Sequence, residues 1–164
     1  MSLSAALISE LKHETASTLK ILERITDEHL DWRPHEKSMT LGELAAHVVE
    51  LHNWAGEAIS KEVFDFKVHY VPFKVTSASQ LTSKLEAGIV PNIAALEAID
   101  DAAWMTQWTL QAGDWVISTM PKAAAIRFIV NNHIVHHRGQ LTVYLRLLDI
   151  PVPGIYGPSA DDAN

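Results

Sequence analysis

The chain has 164 residues, of which 48% are apolar and 20% charged, a composition typical of one folded globular domain rather than a disordered chain. Its formal net charge of −7 argues against a nucleic-acid partner, because proteins that bind DNA or RNA usually carry a basic face. Cysteine is absent, which excludes disulfides and thiolate ligands, so a metal would have to be held by histidine, carboxylate or water.

Neither membrane insertion nor secretion is expected from the sequence. No apolar run reaches the roughly 20 residues that a transmembrane helix needs. The N-terminal stretch Met1-Ser2-Leu3-Ser4 has no basic segment followed by an apolar core, which is the pattern of a secretory signal. We therefore expect a single domain over residues 1–164, with no membrane partner, located in the cytoplasm.

An amphipathic helix is predicted for residues 3–25, because leucine and isoleucine recur there at spacings of three to five residues. The charged residues between them, including Glu14, are expected on the solvated side. A short helical turn and a loop opened by Pro34 should follow. Thr40 and Glu43 then form a capping box, in which each side chain accepts from the other residue's backbone N–H.

The capping box starts a second predicted helix, from about residue 41 to about residue 60. Leu44, His47 and Leu51 share one face of this helix, because side chains three and four positions apart are neighbours on a helix surface. His47 should therefore point toward the edge of the core. His52 follows Leu51 directly and should point away from the core.

Residues 61–76 alternate charged, aromatic and valine residues, which favours a loop with extended character. A third helix is predicted to begin at Ser77 or Ser79 and to end near Ile99, with leucine and isoleucine at helical spacing. Pro91 lies inside that helix and should kink or break it, because proline lacks a backbone donor.

Residues 101–120 are rich in turn-forming residues, and two interpretations fit them equally well. One is a hairpin over residues 106–111 and 114–118, and the other is an irregular excursion. A fourth helix should run from Pro121, which suits a first helical turn, to about Leu148. The predicted fold class is all-α, a four-helix bundle with an irregular excursion between helices 3 and 4.

The fourth helix, which is otherwise rich in Ile, Val and Leu, carries three histidines within five residues. Helical residues advance by about 100° each, so His133 and His137 differ by only about 40° and their rings can converge on one ion. His136 is also within reach of His133 by spacing alone. Sequence leaves that alternative open, although His137 lies closer to the apolar stripe.

A third ligand for this ion is predicted to come from His47 on the second helix. Three neutral imidazoles leave coordination positions to water, which is the pattern of catalytic rather than structural metal sites. Such a metal lowers the pKa of a bound water or thiol. Gln140 and Tyr144 extend the same face and, with the flanking His136, are candidates for contacts to the ligands or to substrate. Arg138 can meet a substrate anion or pair with a carboxylate, and pairing is favoured.

The alternative interpretation is that these histidines are hydrogen-bonded core residues that bind nothing, since buried polar groups normally have hydrogen-bond partners.

Three parts of the sequence together resemble the DinB family of damage-inducible proteins. They are a histidine in the second helix, the run His133–Leu141, and the ending from Tyr144-Leu-Arg146 through Pro151–Ser159. The resemblance covers essentially the whole chain.

The resemblance implies a fold, a cofactor and an assembly. Members of the DinB/YfiT-like superfamily are four-helix bundles, often homodimers, that bind a divalent metal through three histidines. The metal is commonly zinc or nickel. By position, the three ligands in this chain would be His47, His133 and His137.

The activity implied by the resemblance is a metal-dependent transfer of a low-molecular-weight thiol to a small electrophile. Relatives in the superfamily include a mycothiol-dependent maleylpyruvate isomerase and bacillithiol S-transferases. Two alternatives remain at this point. The same open site fits a metal-dependent hydrolase, and a stress-response protein could bind the metal without catalysis.

Overall fold

Four long helical segments carry most of the chain in the computed structural model, which describes residues 2–162. In chain order the elements are α1 (Leu3–Leu22), α2 (Leu41–Glu57), β1 (Val63–Asp65), α3 (Phe66–His69), α4 (Ser79–Glu97), β2 (Gln107–Ala112), β3 (Trp115–Pro121), α5 (Lys122–Ala125) and α6 (Asn132–Leu147). A π-helical stretch, Ile126–Asn131, joins α5 to α6, so the last helical segment is continuous. The four predicted helices are confirmed, with ends that differ by a few residues.

The start of α2 is fixed by the capping box that the sequence predicts. The Thr40 hydroxyl accepts from the Glu43 backbone N–H at 3.1 Å, and the Glu43 carboxylate accepts from the Thr40 N–H at 2.8 Å. Two backbone donors without helical partners are thereby satisfied.

Pro91 neither breaks nor ends α4, which continues to Glu97. Next to it, Asn92 is buried against α2 and donates its side-chain amide to the His52 carbonyl at 3.1 Å. Gly56 permits this close approach, because a Cβ there would lie 2.9 Å from the Asn92 Cα. The prediction of a break at Pro91 is therefore wrong.

A small mixed sheet corrects the all-α prediction. The strand order is β1-β2-β3, with β1 parallel to β2 and β2 antiparallel to β3. The hairpin alternative for residues 106–118 is thus confirmed, and the irregular excursion is wrong. Strand β1 lies in the segment expected to be a loop, and it is held there by parallel pairing with a strand far away in sequence.

Two tryptophans anchor the hairpin region to the helices. Trp108 is fully buried and donates its indole N–H to the Ala58 carbonyl at 3.0 Å. Trp104 is also fully buried and donates to the Ser4 hydroxyl at 2.6 Å. Burial of these rings with satisfied N–H groups fixes the sheet against one end of the bundle.

The interior also contains a polar network that the sequence does not reveal. His52 is only 1% exposed, in contrast to the prediction that it points away from the core. Its ring nitrogens lie 3.2 Å from the Thr15 hydroxyl and 3.0 Å from the Thr18 hydroxyl. The Thr15 proton is already donated to the Leu11 carbonyl, so Thr15 accepts from Nδ1–H of His52. Nε2 then accepts from Thr18, and the ring is neutral.

Arg138 extends this network to α1 and to the C-terminal segment. Its guanidinium donates to the Glu14 carboxylate at 2.5 Å and to the Thr18 hydroxyl at 3.2 Å. Tyr156, from the segment after α6, donates its hydroxyl to Glu14 at 2.7 Å. The favoured prediction that Arg138 pairs with a carboxylate is confirmed. Glu14 is buried, so its predicted position on the solvated side is wrong.

The remaining core is apolar and is formed where α1, α2, α4 and α6 meet. Within residues 2–162, no helix is both long and apolar enough to cross a membrane.

Candidate metal centre

Two neighbouring stripes of α6 have different surroundings. The buried stripe faces the core and consists of Ile134, Arg138, Leu141 and Leu145. The stripe beside it lies at the edge of the core, where His133 and His137 are half-buried, Tyr144 is half-buried and Gln140 is exposed. His133 and His137 therefore lie beside the buried stripe, next to α2.

The structure brings His47, His133 and His137 together. The nearest ring nitrogens of the three all lie within 4.8 Å of one another. Nε2 of His47 is 3.5 Å from Nε2 of His133, and the ring centres of His133 and His137 are 4.6 Å apart. Tetrahedral zinc, with Zn–N bonds of about 2.0–2.1 Å, separates its nitrogen ligands by about 3.4 Å. The three imidazoles could therefore hold a metal ion.

His136 lies outside this cluster. It is exposed, and its ring centre is 4.8 Å from that of His137. Of the two pairings that the sequence allowed on this helix, the structure brings His133 together with His137 and His47.

The His137 ring is oriented by a hydrogen bond on the side away from the cluster. Nδ1 of His137 is 2.7 Å from the side-chain oxygen of Gln140, so an Nδ1–H donates and Nε2 stays free. Partners of this kind fix the orientation of a metal-binding imidazole.

Glu50 gives His47 a comparable partner, and sequence reasoning missed it. One of its carboxylate oxygens lies 3.5 Å from Nδ1 of His47, one helical turn earlier on α2. The same carboxylate accepts from the Tyr70 hydroxyl at 2.9 Å and from the Phe73 N–H. A glutamate three positions after His47, in a stretch that is otherwise apolar from Leu44 to Leu51, was the available signal.

The Glu50 carboxylate is held in its charged form. Burial by itself raises the pKa of Glu50, but the facing His47 and the hydrogen bonds from Phe73 and Tyr70 outweigh burial and leave the pKa below its ordinary value. Burial and the same carboxylate raise the pKa of Tyr70 to about 12. A charged acceptor behind His47 favours Nδ1–H and leaves Nε2 directed at the other rings.

The two α6 histidines are neutral at neutral pH. Burial, followed by the neighbouring His137 and His47, lowers the pKa of His133 to about 4. Burial also lowers the pKa of His137, although its hydrogen bond to Gln140 opposes that effect. Neutral imidazole is the form that binds metal, so these shifts prepare the site for a cation without proton release.

The cluster is open on one side. No cysteine, aspartate, glutamate or fourth histidine within residues 2–162 joins the three rings as a possible ligand. His47 and Glu50 also line a surface groove of about 690 Å³, so a small molecule can approach from there. An open three-histidine site is typical of catalytic metal centres.

Tyr144 supports a wall of this groove. Its hydroxyl donates to the Met39 carbonyl at 3.3 Å, and its ring packs edge-on against Trp32 with 5.6 Å between ring centres. Tyr144 thereby braces the connector between α1 and α2.

Fold and site together define a class: a helical-bundle protein with three histidines gathered between its second and last helices. The chain belongs to the DinB family, whose family model matches residues 1–164. The resemblance seen in the sequence is therefore confirmed.

Individual relatives agree with this assignment. The uncharacterized protein YrdA of Bacillus subtilis (strain 168) is 31% identical over 154 residues, which cover 91% of this chain and 85% of that protein. A DinB-like protein from Bacillus cereus ATCC 10987 has a similar structure, with a TM-score of 0.71, 27% identity, and coverage of 92% of this chain and 95% of that one.

A DinB-like protein of Bacillus subtilis, YjoA, matches with a TM-score of 0.73, covering 94% of this chain and 99% of that one. At 18% identity, that likeness shows the fold alone.

Proposed function

We propose that this protein is a divalent-metal-dependent enzyme that transfers a low-molecular-weight thiol to a small electrophile. One observation carries the proposal: three imidazoles, from His47, His133 and His137, meet at the edge of a groove without a fourth protein ligand among residues 2–162. Zinc and nickel are the proposed metals, because both accept imidazole ligands and are common in the family.

When bound, the metal would supply a Lewis acid that lowers the pKa of a thiol, so that the nucleophile is available at neutral pH. The residues of the chain have the complementary tasks. Glu50 and Gln140 hold the Nδ1 sides of His47 and His137, which keeps the opposite nitrogens directed at one point. The groove beside His47 would bring the second reactant to that point.

Spectroscopy of the cobalt-substituted protein tests this proposal. Cobalt(II) has visible absorption bands that respond to a sulfur ligand, so titration with a thiol should change the spectrum saturably. Turnover is then measured with that thiol and a panel of electrophiles, and in parallel with esters and amides. Thiol consumption with an electrophile supports the transferase. Hydrolysis of esters or amides without thiol, or no spectral response and no turnover at all, would overturn it.

A homodimer and a cytoplasmic location belong to the proposal as well. Support for the homodimer comes from apolar side chains exposed on the outer side of the last helical segment, namely Phe128, Val135, Val143 and Leu147. Sedimentation equilibrium of the protein and of its Leu147→Glu variant tests this assembly. A dimer weakened by the substitution supports it, and a monomeric wild-type protein contradicts it.

A further inference from the structure

A second cavity, here named the α2 cavity, lies beside the C-terminal half of α2 and is separate from the groove beside His47. The groove extends along residues 40–50, whereas the α2 cavity extends along residues 50–57. The segment of residues 70–74 is bound to α2 between the two cavities, because Glu50 accepts hydrogen bonds from Tyr70 and Phe73. The volume of the α2 cavity, about 370 Å³, is within the range of sites for small molecules, about 300–1,000 Å³.

The walls of the α2 cavity are largely aromatic and are packed against one another. Trp54 and Phe64 are buried, with 5.3 Å between their ring centres. Tyr70 packs edge-on against Trp54, with 5.9 Å between ring centres, and its hydroxyl is held by Glu50. Aromatic walls that are fixed in this way suit a planar aromatic ligand, because ring–ring contacts stabilise binding beyond the burial of apolar area.

The uncharged polar groups of the lining offer hydrogen-bond donors. Nδ1 of His69 accepts from the Asp65 N–H at 2.9 Å, so the neutral ring carries its proton on Nε2. The side-chain oxygen of Asn53 accepts from the Asn92 amide at 3.2 Å, which leaves Asn53 its N–H donors for a ligand. The Glu50 carboxylate, in contrast, is already engaged by its own partners.

The exposed charged groups of the lining are two cations and one anion: Lys74, Lys84 and Glu57. None of the three forms a salt bridge within residues 2–162. The Lys84 ammonium lies 5.8 Å from the centre of the Phe73 ring, a cation–π contact that places it against a cavity wall and leaves its N–H donors free. Donors and cations thus outnumber free acceptors in the lining, which favours an anionic ligand.

We infer that the α2 cavity is a second ligand site, which binds a planar aromatic carboxylate. The ring of the ligand packs against Trp54 and Tyr70, and Lys74 and Lys84 hold its carboxylate. An uncharged aromatic molecule would leave both lysines without a partner, and an aliphatic acid would lose the ring–ring contacts. None of the three clustered histidines lines the cavity, so the inference is independent of the proposed function.

Calorimetric titration of the metal-free protein with 2-naphthoate, in the presence of a chelator, tests the inference. The Val71→Glu/Lys84→Gln double variant adds an anion to the cavity and removes a cation from it, and neither residue lines the groove beside His47. Val71 is 83% exposed and Lys84 is exposed as well, so the fold should tolerate both changes.

The matched control is the Val68→Glu/Lys67→Gln double variant, which makes the same two substitutions at exposed positions on α3 that line neither cavity. Uncharged 2-naphthalenemethanol is the matched ligand, because it has the same ring system without the carboxylate.

Wild type and the control variant should bind one 2-naphthoate per chain, and the Val71→Glu/Lys84→Gln variant should bind it about tenfold more weakly. The alcohol should bind more weakly than 2-naphthoate and to the same extent in all three proteins. Four results would overturn the inference: no binding of 2-naphthoate to wild type, equal binding by the cavity variant and wild type, equal weakening in the control variant, or an alcohol that binds as tightly as the carboxylate.

Discussion

The buried His52 should make the stability of this protein fall as the pH falls from 7 to 4. Burial, reinforced by the nearby Arg138 cation, lowers the pKa of His52 to about 3, against an ordinary value near 6.5. Between pH 3 and pH 6.5, the folded and unfolded pKa values of His52, the unfolded chain binds a proton that the folded chain does not. The free energy of unfolding therefore rises with pH in this window, and the contribution of the neutral His52 is fully present above pH 6.5.

The size of the effect follows from the two pKa values. The slope contributed by one such group reaches about 1.4 kcal/mol per pH unit. His52 titrates at about 6.5 in the unfolded chain and at about 3 in the folded chain. Integrating the slope from pH 8 down to pH 5 gives a loss of about 2 kcal/mol in the free energy of unfolding. The cost has a structural cause, because a protonated ring would need an acceptor on Nε2, where Thr18 now donates.

Urea unfolding of the metal-free protein at pH 8, 7, 6 and 5, in the presence of a chelator, measures the effect. The control is His52→Gln, whose amide can donate to Thr15 and accept from Thr18 without titrating. His133 and His137, whose pKa values are also lowered, add the same pH dependence to both proteins, which cancels in the difference. Wild type should lose about 2 kcal/mol more than the variant between pH 8 and pH 5. Parallel pH dependences for the two proteins would show that His52 protonates freely in the folded state and would refute the reasoning.

Three further substitutions test other parts of the structure. Glu50→Gln should weaken metal binding about tenfold in a competition assay, because the His47 ring is then held less firmly. Glu57→Gln, at the exposed end of α2, is the control and should bind metal as wild type does. Equal affinities for all three proteins would contradict the role given to Glu50. Arg138→Met should destabilise the protein by about 3–5 kcal/mol in urea, because the buried Glu14 carboxylate loses its cationic partner and keeps only the Tyr156 hydroxyl. A loss below about 1 kcal/mol would contradict this. Thr40→Ala should cost about 1 kcal/mol of stability through loss of the α2 cap, and an unchanged unfolding midpoint would contradict that role.

The helices and the histidine cluster were predictable because their signals are local. Apolar periodicity and the capping box of Thr40 and Glu43 lie within a few residues of the structure that they specify. The spacing of His133 and His137 similarly determines that the two rings share a helix face. The choice of His47 as their partner needed only the face of α2 on which it lies.

Two features were not predictable from local patterns. Strand β1 has three residues and exists because of its parallel pairing with β2, which no short-range signal encodes. His52 was misplaced because α2 is packed against α1, α4 and α6, so that it lacks a broad solvated face. His52, beside the apolar stripe of α2, is therefore buried as well. Its hydrogen-bond partners, Thr15 and Thr18, lie on α1.

The position of Glu14 was also mispredicted, because its partner is distant in the sequence. In the sequence it belongs to the charged face of α1, and in the structure it forms a buried ion pair with Arg138, 124 residues later. A charge on an amphipathic helix is expected in water unless a partner of opposite charge lies opposite it. That partner becomes visible only when the fold brings α1 and α6 together.

The metal content of three purified proteins tests the central claim most directly. Wild type, His137→Ala and His136→Ala are loaded with zinc, freed of excess by gel filtration, and measured by mass spectrometry. His136 is the matched control, since it is exposed and adjacent to His137 but lies outside the cluster. We predict one zinc per chain in wild type and His136→Ala, and loss of stoichiometric zinc in His137→Ala. One zinc per chain in all three proteins, or none in wild type, would contradict the account.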